Sequence, residues 1–309
     1  FVSTAPGVIL STATINNLPA GEQINGLDFR PANGKLYALS SSSRIYTIDP
    51  LTGIASLVGS GPTNPPVNGS GVGFDFNPVP DRIRVVSSAG QNLRFNPDSG
   101  ATAATDGPLT FDAADAQAGR TPNLVAAAYN NNFAGTTSTT LYTIDSGSDT
   151  LVRQGSPGGT PISPNTGTLF TIGALGVDVG DAAGFDIADM SNNAYASLTV
   201  AGVSQLRTIN LLTGAASLIG PIGGGELIRG ITVANTPPAS AQNAGAVVVN
   251  AASFTSGTIA PNSLAALFGS FQTTAGAFAV AGGVPLPTTL GGLRATIGGA
   301  DAQLLFASN

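Results

Sequence analysis

The sequence has no cysteine, no histidine and no tryptophan, and it has a single methionine. Without histidine and cysteine it cannot build a Ser–His–Asp triad, a thiolate nucleophile or the usual zinc sites. Glutamate occurs only as Glu22 and Glu226, and Lys35 is the only lysine. Because glutamate, lysine and methionine are good helix formers, their scarcity argues against long amphipathic helices.

Charged residues are also scarce. Only 9% of the residues are charged, and the formal net charge is −6. No basic stripe is present that would neutralise phosphates, so the sequence predicts no nucleic-acid binding and no attraction to anionic membranes. No apolar run approaches the length of about 18 residues that a membrane-spanning helix needs. Hydrophobic residues still make up 42% of the chain, which is enough for a packed core and excludes a disordered chain.

The hydrophobic residues are organised in a repeat. Residues 24–59 divide into four strand-like runs that are separated by turn residues, such as those at 50–53. The same unit recurs, and the glycine of its first run stands at Gly26, Gly73, Gly184 and Gly230, with a weaker unit between the second and third of these. Four strands per repeat at this period are typical of a propeller blade. The sequence therefore predicts an all-β fold with a five-bladed β-propeller.

The last blade is predicted to be shared by the two ends of the propeller. Residues 229–235 match a first strand and residues 1–15 match the end of a repeat, but this blade has no second strand and only part of a third. Either residues upstream of Phe1 have been lost or a neighbouring chain fills the gap, since an open blade edge presents unpaired N–H and C=O groups that favour strand addition. The predicted domains are the propeller at 1–235, a linker at 236–243 and a small Ig-like β-sandwich at 244–309. The sandwich has four strand candidates where about seven are usual, so it is also predicted to be incomplete.

Several phrases of the sequence resemble a known family. They are YTIDPLTGIASLVG at 46–59, GVGFDFNPVPDRIRVVSS at 71–88 and PNLVAAAYNNN at 122–132, and their order matches over roughly residues 1–235. These phrases resemble a bacterial secreted domain of unknown function, numbered 4394. The resemblance implies a propeller-like, exported protein without an established activity, so it assigns no functional residues. The tail of the sequence resembles part of an Ig-like module that is common in acidobacterial secreted proteins.

Asp28, Asp75 and Asp186 are the obvious candidates for carboxylate chemistry. A pair of carboxylates is the usual machinery of glycoside hydrolysis. However, the three residues stand at the same place in their repeats, and a residue that recurs from blade to blade serves structure more readily than a unique reaction. They are therefore predicted to accept hydrogen bonds in turns or between blades, and the protein is predicted not to be an enzyme.

The densest acidic cluster contains Asp178, Asp181 and Asp189 together with Asp186, and it leads into a later blade. Calcium binds several carboxylate and carbonyl oxygens, which loops supply readily. We therefore formulate a calcium hypothesis for Asp178, Asp181 and Asp189, although the regularly spaced Asp loop of EF-hands is absent. No other cofactor is predicted.

Two functions are compatible with the sequence. The first is a non-catalytic extracellular or cell-surface structural protein, whose copies assemble into filaments by strand exchange at incomplete edges. The alternative is an extracellular binding module that recognises a glycan or another surface protein through a propeller face. The five tyrosines lie in or beside strand-like runs, so sugar stacking lacks support. Because the composition is polar and lysine-poor, we expect an exported chain, and the start at Phe1 without Met indicates either that a leader has been removed or that the chain is a fragment.

Overall fold

The computed structural model describes residues 1–188 and 191–234, and after them only eight short strands. The chain divides into two compact units, Phe1–Asn235 and Thr236–Asn309. Two 3₁₀ turns, Pro157–Gly159 and Pro164–Thr166, are the helical segments of the described residues. None of the helices in this part of the chain is long and apolar enough to cross a membrane.

Four antiparallel sheets of four strands follow one another along the first unit. Blade 1 consists of β1 (Ile24–Phe29), β2 (Leu36–Ser40), β3 (Ile45–Ile48) and β4 (Ala55–Val58), and blade 2 consists of β5 (Val72–Asn77), β6 (Arg82–Ser87), β7 (Asn92–Phe95) and β8 (Thr102–Thr105). Blade 3 consists of β10 (Leu124–Tyr129), β11 (Leu141–Asp145), β12 (Thr150–Gln154) and β13 (Thr168–Ala174), and β9 (Thr110–Phe111) adds in parallel to β13. Blade 4 consists of β14 (Ala183–Ile187), β15 (Ala194–Val200), β16 (Val203–Ile209) and β17 (Ala216–Pro221). The predictions of an all-β fold and of a propeller arrangement are confirmed.

The second unit is described only as pairs of strands. They are β18 (Val247–Asn250) with β19 (Ala265–Phe268), β20 (Phe278–Val280) with β25 (Phe306–Ser308), β21 (Thr289–Leu290) with β22 (Leu293–Arg294), and β23 (Thr296–Ile297) with β24 (Ala300–Asp301). The linker at 236–243 lies outside the described residues. The Ig-like sandwich at 244–309 stays a prediction, because most of its residues also lie outside them.

The blades pack through their first strands, which line the propeller axis. Strand β1 contacts β5, β5 contacts β10, and β10 contacts β14. The glycine of the repeat permits this approach: a Cβ on Gly73 would lie 2.7 Å from the Cβ of Ala127. Large apolar side chains fill the space between the sheets, and the rings of Tyr37 and Phe76 meet edge to face at 5.2 Å across blades 1 and 2.

The turns between third and fourth strands share one construction in blades 1, 2 and 4. In blade 1, the backbone N–H groups of Leu51 and Thr52 donate to Asp49 Oδ1, and Gly53 follows with a φ of +72°. Asn96 and Asn210 accept the corresponding hydrogen bonds in blades 2 and 4, whereas in blade 3 the same construction stands instead between the second and third strands, at Asp145. Asx side chains stabilise turns in this way, by accepting from backbone N–H groups two or three residues further on.

The prediction of a fifth blade, shared by residues 229–235 and 1–15, is wrong for the sheets that the described residues form. Residues 229–234 join no ladder, and residues 1–15 contain only the isolated bridge of Val2 with Ala5. The physical reason is that, among the residues that the structure describes, no second or third strand stands at this position. Neither segment therefore has a neighbour there whose N–H and C=O groups could complete a sheet.

The two segments nevertheless lie where a fifth blade would begin and end. Residues 229–233 run between β14 and β1, since a Cβ on Gly184 would lie 2.4 Å from the backbone N of Ile231. At the periphery, the N–H of Gly223 donates to the carbonyl of Pro6 beside blade 4, and Asn16 bridges Ile54 of blade 1. We call residues 229–233 the inner segment and residues 1–16 the outer segment of the fifth position.

Candidate functional site at the propeller axis

Three carboxyl groups meet at the axis of the propeller. Asp28, Asp75 and Asp186 stand at the same place in β1, β5 and β14, opposite Tyr37, Arg84 and Tyr195 of the second strands. One carboxylate oxygen from each lies within 4.8 Å of the others. All three residues are buried, with exposed fractions of 2%, 1% and 3%. The repeat therefore gathers acidic groups where the blades converge.

Each of these carboxylates links its own blade to the next. The backbone N–H of Phe76 donates to Asp28 Oδ2 at 3.0 Å, and the N–H of Tyr129 donates to Asp75 Oδ2 at 2.7 Å. The N–H of Val233, in the inner segment, donates to Asp186 Oδ2. The predicted role as acceptors between blades is thus confirmed.

Thr232 takes the place of the repeated Asp at the fifth position. The N–H of Phe29 donates to Thr232 Oγ1 at 3.4 Å, which brings the chain of hydrogen bonds back to blade 1. Strand β10 has Ala128 at this place, opposite Tyr142, so blade 3 offers no side-chain acceptor there. The ring of hydrogen bonds therefore has five positions, of which four carry a polar side chain.

Burial sets the protonation of the axial carboxyl groups. Loss of solvent, only partly offset by the hydrogen bonds that it accepts, raises the pKa of Asp28 to about 6. Burial and the nearby Asp28 carboxylate raise the pKa of Asp186 to about 8. Burial followed by repulsion from Asp28 and Asp186 raises the pKa of Asp75 well above its usual value. The site therefore retains protons at neutral pH, which makes part of it a hydrogen-bond donor.

We expect Asp28→Asn to be tolerated and Asp28→Ala to destabilise the propeller. The amide can still accept from Phe76 N–H and can donate to Thr232, whereas alanine leaves that buried N–H without a partner. An unsatisfied buried donor costs about 1–3 kcal/mol. Urea unfolding of both variants at about pH 6, near the pKa of Asp28, measures the difference. Equal losses in the two variants would contradict the role of Asp28 between blades.

The calcium hypothesis stays a prediction. Asp189 lies outside the described residues, and Asp178 is exposed. Asp181 already accepts from Ser70 Oγ at 2.6 Å and from Asn123 Nδ2 and Ser146 Oγ at 2.9 Å each. These donors hold the pKa of Asp181 below its usual value, and they connect the loops of blades 2, 3 and 4.

Arg84 is a buried charge that the sequence reasoning did not single out. Its guanidinium donates to Asn92 and to Asp106 at 2.6 Å, and to the Tyr129 hydroxyl at 3.3 Å. The sequence of β6 gives no signal for this, because the alternation of Arg82 and Arg84 with Ile83 and Val85 would place the arginines on a solvent-facing side. The arrangement ties blade 2 to blade 3.

Thr232 was also missed, although Gly230 was aligned with the repeat. Threonine is uncharged, so a comparison of residue types along the repeat does not identify it as the equivalent of the aspartates. Its hydroxyl oxygen can nevertheless accept the same backbone hydrogen bond.

No curated protein matches the chain. Solved structures with a similar course include a protein of unknown function from Bacteroides thetaiotaomicron, at 16% identity and a TM-score of 0.40, covering 63% of this chain and 42% of that chain. The glutaminyl cyclase of Myxococcus xanthus is 14% identical with a TM-score of 0.37, covering 62% of this chain and 75% of that chain. A putative 6-phosphogluconolactonase from Bacteroides uniformis is 17% identical with a TM-score of 0.35, covering 68% of this chain and 58% of that chain.

The chain thus spans less than half the length of the Bacteroides thetaiotaomicron protein. A family profile described as "Domain of unknown function (DUF4394)" matches residues 1–232, which include all four blades and the inner segment up to Thr232. With three quarters of its length inside that match, the chain belongs to the DUF4394 family.

Proposed function

We propose that the protein is a non-catalytic extracellular structural subunit, and that a neighbouring copy adds two strands at the fifth position. The inner segment is the observation that carries this proposal. Hydrogen bonds from Phe29 and Val233 hold it between blades 1 and 4, yet it joins no ladder within the described residues. A strand-like edge with unpaired backbone groups is a template for pairing with another chain.

The outer segment supports the same proposal through its exposed apolar side chains. Large hydrophobic residues are exposed there by 38% or more, and they are Phe1, Val2, Val8, Ile9, Leu10 and Ile15. Leu218 of β17, on the blade 4 side, is 57% exposed. Apolar surface concentrated in one region marks an interaction site more often than single exposed residues do. Two strands placed between the inner and outer segments would cover it.

A donor of two strands exists in the second unit. Strands β18 and β19 form an antiparallel pair of four residues each, with Val247 opposite Phe268. A two-stranded sheet is marginally stable by itself in water and gains from joining a larger sheet. We therefore assign the donated strands to the β18–β19 pair of a second copy.

The absence of an enzymatic role is part of the proposal. The sequence has neither histidine nor cysteine, and the axial carboxylates accept hydrogen bonds that connect blades. Buried groups committed in this way are poorly placed to meet a substrate. The extracellular location rests on the composition of the chain and on the exported character that its family resemblance implies.

Light scattering coupled to size exclusion tests the assembly. We expect the full chain to elute as a dimer or larger species, and Val248→Pro to elute as a monomer, because proline removes an N–H from the donor strand β18. Ser256→Pro, which lies between β18 and β19 in the sequence, is the matched control and should assemble as the wild type does. A strictly monomeric wild type, or an unchanged size for Val248→Pro, would overturn strand donation. A monomer would favour the alternative, a binding module for a glycan or another surface protein.

A further inference from the structure

The contacts of Thr232 require more hydrogens than its hydroxyl supplies. Thr232 Oγ1 lies 2.9 Å from Asp28 Oδ1 and 3.0 Å from Asp186 Oδ2. A hydroxyl has one hydrogen, so it donates to only one of these two oxygens. The other contact brings two acceptor oxygens together unless that carboxyl group is protonated and donates to Thr232. One proton must therefore reside on Asp28 or Asp186.

A second proton is favoured between Asp75 and Asp28. A carboxylate oxygen of Asp75 lies within 4.8 Å of one of Asp28, and two ionised carboxylates have only acceptors, so they attract each other only if one carries a proton. The contacts thus form a chain from Asp75 through Asp28 and Thr232 to Asp186, with three contacts and one hydroxyl hydrogen. The three carboxyl groups must together supply the other two hydrogens. The pKa values of about 6 for Asp28 and about 8 for Asp186, with that of Asp75 also raised, agree with two bound protons at neutral pH.

We propose that two protons held at the axis close the propeller ring at the fifth position, and that their loss in alkaline solution releases the inner segment. Deprotonation would leave three carboxylates with oxygens within 4.8 Å of one another. It would also leave Thr232 able to bind only one of its two partners. The inner segment would then lose contacts to β1 and to β14, although the four blades keep their own ladders.

Within the part of the chain that the structure describes, no arginine or lysine forms an ion pair with the three axial carboxyl groups. Strand β10 has Ala128 at this level, and Arg84 opposite Asp75 is paired with Asp106 at 2.6 Å. Two arginines lie near the cluster along the same chain segments. Arg30 donates to Asp81 and Asp98, and Arg229 donates to Gln23 Oε1 at 2.7 Å. The residues opposite Asp28 and Asp186 are Tyr37 and Tyr195, whose side chains carry no positive charge.

Amide hydrogen exchange of the full chain tests the release of the inner segment. Exchange in peptides that cover residues 229–233 is compared between about pH 6 and about pH 9.5, after correction for the intrinsic rate. We expect protection to fall by up to about tenfold per pH unit, for each proton of difference between the closed and open states, as the pH rises to the raised pKa values of the axial groups, about 8 for Asp186, while the inner strands of blades 2 and 3 keep theirs. Protection of residues 229–233 that does not change over this range would overturn the proposal.

Asp75→Asn is the decisive variant. Its amide can donate to Asp28 and still accept from Tyr129 N–H, so it supplies one of the two hydrogens permanently. We expect at least tenfold more protection of the inner segment than in the wild type at about pH 9. Asp49→Asn is the matched control, since Asn96 and Asn210 occupy the same turn in other blades, and it should follow the wild type. Equal profiles for Asp75→Asn and the wild type would contradict the proton count.

Carbon-13 NMR of the aspartate carboxyl groups supplies a measurement on the wild type alone. We expect two proton equivalents to remain bound to aspartates at about pH 6.5, far above the usual aspartate pKa of about 3.9. Titration of every aspartate below about pH 5 would overturn the proposal. The NMR experiment counts the axial protons in a monomer and in an assembly alike, so it can fail while strand addition holds, and the reverse.

Discussion

Replacing Gly73 with alanine is expected to lower the free energy of unfolding by about 3 kcal/mol, near the upper end of what overpacking costs. The new Cβ would lie 2.7 Å from both the Cβ and the backbone N of Ala127, and 2.8 Å from the backbone carbon of Ala126. Backbone atoms cannot rotate aside as a flexible side chain can. Strands β5 and β10 would have to separate, which disturbs the interface between blades 2 and 3. Urea unfolding measures the effect.

Gly61→Ala is the control for this substitution. A Cβ on Gly61 meets no atom within 4 Å, so we expect the free energy of unfolding to change by no more than about 0.5 kcal/mol. Equal stability of Gly73→Ala and Gly61→Ala would contradict the close packing of the inner strands.

Gly184→Ala should behave differently from both. Its Cβ would lie 2.4 Å from the backbone N of Ile231 and should expel the inner segment while blades 1 to 3 stay intact.

The stability of the propeller is expected to decrease as the pH rises from about 5 to about 8. Unfolded aspartates have a pKa of about 3.9, whereas burial raises those of Asp28 to about 6 and of Asp186 to about 8. Between these values the folded protein binds more protons than the unfolded chain, so the free energy of unfolding falls with pH. The slope is about 1.4 kcal/mol per pH unit for each proton of difference. Thermal unfolding across this range measures it.

In acid, the free energy of unfolding is instead expected to increase as the pH rises. Ion pairs or hydrogen bonds lower the pKa of Asp98, Asp106 and Asp181, so their contributions are lost as the pH falls through those lowered values. We therefore expect maximal stability near about pH 4–5. Asp75→Asn should flatten the decline above that maximum. A stability that rises steadily from pH 5 to pH 8 would show that the axial carboxyl groups are ionised in the folded protein.

The sequence predicted the elements whose chemistry is local. The turn at Asp49 and Gly53 is specified by an Asx side chain and, four residues later, a glycine that can adopt a positive φ. Both residue types can be read directly from the sequence. The inter-blade role of Asp28, Asp75 and Asp186 followed from their recurrence at one place in the repeat. A residue that recurs at one place in each repeat has the same surroundings in each blade. In a propeller, the inner strand of each blade packs against the next blade.

Features that depend on distant partners could not be predicted in the same way. The amino-acid sequence shows a repeat at residues 229–235, but a strand joins a sheet only if neighbouring strands are present. The described residues supply no such strands at the fifth position. Arg84 has no local signature because its partners Asp106 and Asn165 come from other segments. The short distances between the three axial carboxyl groups depend on how the blades are arranged around the axis. The spacing of these residues along the sequence does not give that arrangement.

An experimental structure of the full chain at about pH 6, where the axial protons are bound, tests the central claim most directly. We expect residues 229–233 to lie between β1 and β14, with two strands of a neighbouring copy paired between the inner and outer segments. Direct packing of β14 against β1, with residues 229–233 elsewhere, would contradict it.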